Sequence, residues 1–424
     1  MKVRTGFLNI KKDEPYFDKI SFPFTKESIR EKLENNLSHL VLEVTQNCNF
    51  RCRYCVYSGS YKHERTHSPV HMSEEVALKA LEFLRKRSRD ENTIRIGFYG
   101  GEPLLNFKLI KFIVLRASKI FKDKKVRFSL TTNGALLKDH IIEYLVDHKI
   151  FTFVSIDGPE EVHDRYRVDL RGNGTFKNIV TNLKNFKKRF PEFYNKHVGF
   201  VTVLSPPFQL KKVLEFFNNW ELKTDAPHFI TLVDPVNTDF YTTYMKPEDR
   251  EKYKSEYRAL AREELERFIK TGEPGKFSDF LIYLKDLINF HNRKMGKIGS
   301  TLFLSGFCIP GHDRVFVTPD GSLYPCEKVH THFKIGDLLQ GFYFDKIFRV
   351  IDRIVQIRDK MGCRSCWLGR LCSMCFANIM RNEEVRKDLI RKECQINQNK
   401  WQTILEYYIE IFERNPKALE KLKL

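Results

Sequence analysis

From residue 39 to residue 233, short apolar runs alternate with stretches in which apolar residues recur at helical spacing. The runs predict strands over His39–Val44, Thr93–Tyr99, Val126–Thr131, Phe151–Ile156, Val198–Leu204 and His228–Val233. The periodic stretches between them predict helices over Ser73–Arg87, Lys108–Phe121, Lys138–His148, Thr175–Arg189 and Gln209–Trp220. Strands alternating with helices predict parallel βαβ units with right-handed crossovers. Six such units make an α/β fold of the partial (β/α)6 TIM type, not a closed eight-fold barrel. Chemistry in such barrels sits in the loops at the C-terminal ends of the strands.

The flanks read differently. Residues 1–38 are mixed, with an amphipathic stretch at Lys26–Leu37, and predict an extension packed on the main body. Residues 246–298 are rich in Lys, Glu and Tyr at helical spacing and predict a helical connector between a barrel over 39–245 and a C-terminal region over 299–424. No internal repeat or low-complexity tract interrupts the chain.

Polar and glycine-rich motifs punctuate the strand ends. Cys48–Cys55 follows the first strand and Gly100-Gly101-Glu102-Pro103 the second. Thr131-Thr132-Asn133-Gly134 ends the third, and Ser155-Ile156-Asp157-Gly158-Pro159 the fourth. Four motifs at four successive strand ends predict convergence on one site, and that agreement weighs more than any single motif.

Composition sets the class. At 424 residues and 42% hydrophobic, the chain has enough apolar material for a substantial core. No apolar run reaches the roughly 18 residues of a membrane span. The basic N-terminal stretch MKVRTGFLNIKKDEP lacks a signal-peptide apolar core, which leaves a cytoplasmic location as the expectation. A net charge of +19 favours an anionic partner such as nucleic acid, an acidic peptide or phosphate groups. Nucleic acid is disfavoured, because the charge is dispersed and no DNA- or RNA-binding signature is present.

The ten cysteines change the picture most. Three lie at 48–55, none from 56 to 307, and seven from 308 to 394. In a reducing compartment that pattern reads as two local metal or thiol sites, not a disulfide framework. The CxxxCxxC spacing of Cys48, Cys52 and Cys55 offers three thiolates. Zinc usually takes four ligands, whereas three suit a [4Fe–4S] cluster with one iron left open. A zinc site with a distant fourth ligand is the alternative. The other seven (Cys308, Cys326, Cys363, Cys366, Cys372, Cys375 and Cys394) are too many for one four-ligand site and one short of two. Paired zinc sites are the alternative there.

A CxxxCxxC loop after a first strand, followed by GGEP, resembles the radical S-adenosylmethionine (SAM) superfamily. The resemblance implies that Cys48, Cys52 and Cys55 ligate a cluster whose open iron chelates SAM. Reductive cleavage then yields methionine and a 5′-deoxyadenosyl radical. It implies SAM contacts for Tyr54, for Gly100, Gly101, Glu102 and Pro103, for Asn133, Ser155 and Asp157, and for Arg167 as a partner of the SAM carboxylate. Glycines permit close backbone approach, and a carboxylate suits an ammonium.

The C-terminal order resembles the SPASM domain, which holds auxiliary [4Fe–4S] clusters, so the resemblance spans residues 39–424. Twelve residues separate Cys308 from Gly321, and Gly321-x4-Cys326 follows. Then come Cys363-x2-Cys366-x5-Cys372, Cys375 and Cys394. Cys372-Ser-Met-Cys375 departs from the family, which has three intervening residues. The resemblance assigns Cys363, Cys366, Cys372 and Cys394 to one auxiliary cluster. It gives Cys308, Cys326 and Cys375 to another, and since no cysteine lies between 309 and 325, the expectation is an open iron for a substrate thiolate, with His312 as the alternative protein ligand. That makes three clusters in all.

Such enzymes mostly modify peptides or proteins. The favoured expectation is a maturase that cross-links a ribosomally made precursor peptide, most often through a cysteine thioether. An acidic leader and an external one-electron donor such as flavodoxin or ferredoxin are the expected partners. Residues 1–38 are too few for a full leader-binding module. The alternative is a sulfatase-maturating enzyme that forms formylglycine, in which Glu327 is the candidate catalytic base. A reading of another class is an iron–sulfur electron carrier or a zinc-stabilised nucleic-acid-binding protein. The strand-end motifs speak against it, since a carrier needs no SAM pocket.

Overall fold

The fold is given by a computed structural model that describes residues 15–61, 65–235, 238–293, 296, 299–304, 306–329, 331–381 and 384–421. The basic N-terminal stretch over 1–14 lies outside them. In chain order the strands are β1 (Lys19–Ser21), β2 (His39–Thr45), β3 (Thr93–Gly100), β4 (Lys125–Thr132), β5 (Phe151–Ser155), β6 (Val198–Leu204) and β7 (His228–Leu232). They continue with β8 (Thr301–Phe303), β9 (Val315–Val317), β10 (Ser322–Tyr324), β11 (Gly336–Asp337) and β12 (Gly341–Phe342).

Strands β2 to β7 lie side by side in sequence order and all parallel, with helices in the crossovers. This is the partial TIM-type barrel expected from the alternation. The helix Glu74–Arg87 illustrates why the crossovers form where they do. Ser73 caps its first turn by accepting from the Val76 N–H, Glu74 and Glu75 sit at the positive end, and Arg85, Lys86 and Arg87 at the negative end. Ala77, Ala80, Leu81 and Leu84 form its buried stripe against the sheet.

The sheet does not end at the barrel. Strand β9 joins β2 in parallel, with Leu40 opposite Val315, and β10, β11 and β12 extend it antiparallel to ten strands. The cysteine-rich region is thus hydrogen-bonded to the first barrel strand. The N-terminal extension is tied to the same region, because β1 pairs with β8. Alternation along β2 divides its side chains between two faces. Leu40, Leu42 and Val44 enter the main core, while Val41 joins Phe316, Tyr324 and Tyr99 in a smaller cluster on the other side.

The connector contains the 25-residue helix Pro247–Thr271. The C-terminal region adds the helices Phe344–Lys360 and Lys387–Arg414. Among the described residues no helix is long and apolar enough to cross a membrane.

Candidate functional site

The C-terminal ends of β2, β3, β4 and β5 converge, and hydrogen bonds between their motifs tie them together. The backbone N–H of Gly101 donates to the Thr45 carbonyl (2.9 Å), and that of Glu102 to the Asn47 carbonyl (2.8 Å). The GGEP turn is therefore stitched to the entry of the cysteine loop. Asn133 Nδ2 donates to Asn49 Oδ1 (2.8 Å) and lies 3.9 Å from Cys48 Sγ. The far side of the loop pairs with residues 166–168, through Arg51 N–H to the Val168 carbonyl and Arg53 N–H to the Tyr166 carbonyl.

Cys48, Cys52 and Cys55 are held together in this pocket. Burial pushes the thiols of Cys48 and Cys55 up to about 12 and raises that of Cys52, and Cys52 adds to the rise at both Cys48 and Cys55. The thiolate is the form that binds metal. Three thiols that resist ionisation in isolation fit a group that removes their protons and supplies positive charge. Among the described residues, no three His, Cys, Asp or Glu side chains converge as a single metal ion would require. An iron–sulfur cluster spaces its thiolates more widely than one ion does.

Beside the loop lies a buried polar group. Tyr54 Oη donates to Asp157 Oδ2, and Arg167 Nη1 donates to Tyr54 Oη (2.9 Å). Asp157 Oδ1 accepts from the Val203 N–H (3.0 Å), while His163 and Thr175 brace Asp157 and Arg167 from behind. Arg167 also faces Cys52, and its Nε is buried without a partner. A buried, unmatched donor on a guanidinium fits an anionic ligand. Ser155 is half-buried at the end of β5.

The GGEP residues also have structural roles. The Glu102 side chain is fully buried, with its oxygens taken up by Leu104 N–H (3.1 Å), Thr132 Oγ1 (2.8 Å) and Asn133 N–H (2.7 Å). It clamps β3 to β4, with two donors on Oε1 and one on Oε2. The glycines, likewise, make room for protein backbone. A Cβ on Gly101 would stand 2.2 Å from the Asn47 carbonyl oxygen. Pro103 opens the short 3₁₀ turn that Glu102 caps.

The C-terminal cysteines form two further groups. The ionisable neighbours of Cys308 are Cys375, Cys326 and Asp313. Those of Cys394 are Cys363, Cys372, Cys366 and Arg358. These neighbours are compatible with the two groups that the resemblance implies. His312 Nδ1 sits 3.1 Å from Asp313. Glu327 Oε1 accepts from Arg314 Nη1 at 2.9 Å, so its carboxylate is held by a cation.

Sequence reading missed three buried charged residues. Glu43, on an otherwise apolar β2, accepts from Tyr57 Oη (2.5 Å) and Gln46 Nε2 (3.0 Å) and pairs with Arg65 at 3.7 Å. Arg65 stacks on Phe316 and Tyr324 and donates to the Glu327 carbonyl (3.3 Å), spanning from the first cysteine loop to the C-terminal region. Arg358 lies against Cys363 and Cys372. A carboxylate inside a run of strand hydrophobics was the available signal for Glu43. Removing its partner in Arg65→Met leaves a buried carboxylate uncompensated, and an unfolding midpoint lower by about 3 kcal/mol is expected in chemical denaturation.

Residues 42–217 match the family model of the Radical SAM superfamily. The chain carries a radical SAM domain. Its radical SAM domain contains the cysteine loop, GGEP and both later strand-end motifs, and the family implies SAM and a [4Fe–4S] cluster as cofactors. The chain is 25% identical over 363 residues to a cysteine-type anaerobic sulfatase-maturating enzyme of Clostridium novyi (strain NT), covering 82% of this chain and 89% of the relative. It is 31% identical to the radical SAM cyclopropyl synthase TigE of Paramaledivibacter caminithermalis, over 42% of this chain and 36% of TigE. In fold it is similar to native anSMEcpe with bound AdoMet, with a TM-score of 0.65 at 21% identity, covering 91% of this chain and 99% of that one.

Proposed function

We propose that this radical SAM enzyme oxidises a cysteine or serine side chain of a protein substrate to formylglycine, as sulfatase-maturating enzymes do. The reach of the similarity carries this reading. The Clostridium novyi maturase aligns with 82% of this chain, well beyond residues 42–217, whereas TigE aligns with 42%. Cross-linking of a precursor peptide, the expectation favoured from sequence, is the reading these relatives support less. The TigE match keeps peptide modification as the second reading.

In this proposal Cys48, Cys52 and Cys55 hold the SAM-binding cluster. Cys308, Cys326 and Cys375 hold one auxiliary cluster, and Cys363, Cys366, Cys372 and Cys394 the other. When bound, the first cluster and SAM supply a one-electron reductive cleavage that generates a 5′-deoxyadenosyl radical. The protein's own part is positioning. Arg167, with its unmatched Nε, takes the SAM carboxylate, and the GGEP backbone meets the amino group. Tyr54, Asn133, Ser155 and Asp157 line the nucleoside side, and an external donor such as flavodoxin or ferredoxin supplies the electron. The radical would take a hydrogen atom from the substrate β-carbon. Glu327 accepts the proton of the substrate thiol or hydroxyl while Arg314 orients the carboxylate. An auxiliary cluster would take the remaining electron, and water would release the sulfur of a cysteine substrate as sulfide.

The test is anaerobic turnover of a cysteine-containing peptide with the sulfatase maturation motif. An aldehyde trapped by hydroxylamine is expected, and loss of hydrogens with no trappable aldehyde would turn the assignment to cross-linking. Glu327→Gln is expected to cut aldehyde formation by about 10²-fold, the usual weight of a general base. It should still release 5′-deoxyadenosine from SAM. If aldehyde formation survives intact, Glu327 is not the base.

A further inference from the structure

We propose that Arg358 is a fixed counter-charge that raises the reduction potential of the cluster held by Cys363, Cys366, Cys372 and Cys394. The inference rests on the assignment of an auxiliary cluster to these four cysteines. It adds a residue that sets the properties of that cluster.

Arg358 is 2% exposed, among the largest fully buried side chains of the molecule. It projects from the buried face of the helix Phe344–Lys360, in line with Ile347, Ile351 and Ile354. Cys372 and Cys363 are the ionisable side chains that face its guanidinium, which lies 5.6 Å from the centre of the Phe307 ring. Its Nε has no partner. Among the described residues no carboxylate pairs with it, although the other deeply buried arginines of the barrel have acidic neighbours. Arg65 pairs with Glu43, and Arg167 faces Asp157.

An isolated buried cation costs several kcal/mol of desolvation unless a compensating charge is near. Among the described residues, the groups that offset the charge of Arg358 are the sulfurs of Cys372 and Cys363. Four thiolates around a [4Fe–4S] core leave a net negative charge that grows by one on reduction. A permanent cation against two of those sulfurs therefore stabilises the reduced form more than the oxidised one. Hydrogen bonds to the sulfurs and local charge are established levers on such potentials.

The other cysteine group has the opposite setting. Cys308 and Cys326 have Asp313 and Glu327 as neighbours, and Arg314, the nearby cation, is already engaged by Glu327. The two groups thus differ in local charge, with the unpaired buried cation on the side of Cys363 and Cys372.

The experiment is a redox titration of the reconstituted holoenzyme, followed by EPR. The site takes one electron from the titrant, and no bond to Arg358 forms or breaks. Arg358→Gln is expected to lower the reduced-to-oxidised ratio of this cluster at fixed potential at least tenfold, a midpoint shift of about 59 mV for one electron. Arg358→Lys, which keeps the charge, is expected to shift it less than half as far. An unchanged midpoint in Arg358→Gln, or equal shifts in both variants, overturns the proposal. Should Arg358→Gln fail to load the cluster, Arg358→Lys decides alone. Retention of its iron with a near-native midpoint supports the charge argument, and loss of the iron overturns it. Iron content of Cys363→Ala and Cys372→Ala separates the two levels of the argument. If neither loses iron, the cluster assignment itself fails, whatever Arg358 does.

Discussion

A Cys52→Ala protein is expected to release no 5′-deoxyadenosine from SAM under dithionite and to bind about four fewer irons per chain than the native protein. Cys52 is 8% exposed and faces both Arg167 and Asp157, so it sits where the cysteine loop meets the buried Tyr54–Asp157–Arg167 group. Alanine removes one of three thiolates from a loop that has no spare cysteine within 250 residues of Cys55. A cluster with two protein ligands is poorly retained, and with it goes the only iron site in the radical SAM domain. The comparison that gives this meaning is Cys366→Ala. It too should lose about four irons, yet it should keep SAM cleavage, because Cys366 belongs to a separate group more than 300 residues along the chain. Retained 5′-deoxyadenosine release in Cys52→Ala would falsify the assignment of the radical-generating site.

Much of this site was legible because its chemistry is local in sequence. CxxxCxxC and GGEP are short, and the strands they follow, β2 and β3, are largely apolar runs of seven and eight residues. What was not legible depends on contacts between distant segments. Strands β9 to β12 are two or three residues long, too short to show a period, so nothing announced that Val315 would pair with Leu40. Glu102 could be singled out but not oriented. Its inward turn is fixed by Thr132 and Asn133, thirty residues away, and by the Leu104 N–H. Tyr54, Asp157 and Arg167 were each read as ligand contacts. The structure bonds them first to one another, which no motif spacing encodes. Arg358 and the helix Lys387–Arg414 are different cases. Ile390, Asn397, Trp401, Ile404 and Ile411 recur at helical spacing, and Arg358 continues the stripe of Ile347, Ile351 and Ile354. Both signals were present, but hidden by the weight of the cysteines around them.

Gly100→Ala is expected to be the most damaging substitution outside the cysteines, through geometry alone. Gly100 has φ of +127°, a region that an L-residue occupies only with strain. A Cβ there would stand 2.1 Å from the Thr45 carbonyl oxygen, which is backbone and cannot rotate aside. The same carbonyl accepts the Gly101 N–H, so relief of the clash breaks the stitch between GGEP and the cysteine loop. Overpacking costs about 1–3 kcal/mol and the left-handed conformation about 1–2 kcal/mol more, so a stability loss of roughly 2–5 kcal/mol is expected. Gly59→Ala separates the two contributions. Gly59 has φ of +84° with nothing within 4 Å of its would-be Cβ, so it pays the conformational cost only, about 1–2 kcal/mol. Denaturant midpoints of the two variants should therefore differ by the packing contribution. Radical chemistry should differ more sharply, with 5′-deoxyadenosine release lost in Gly100→Ala and retained in Gly59→Ala. Equal midpoints would mean that the loop yields at Thr45, and that the close approach of the two backbones is not what holds the cysteines in place.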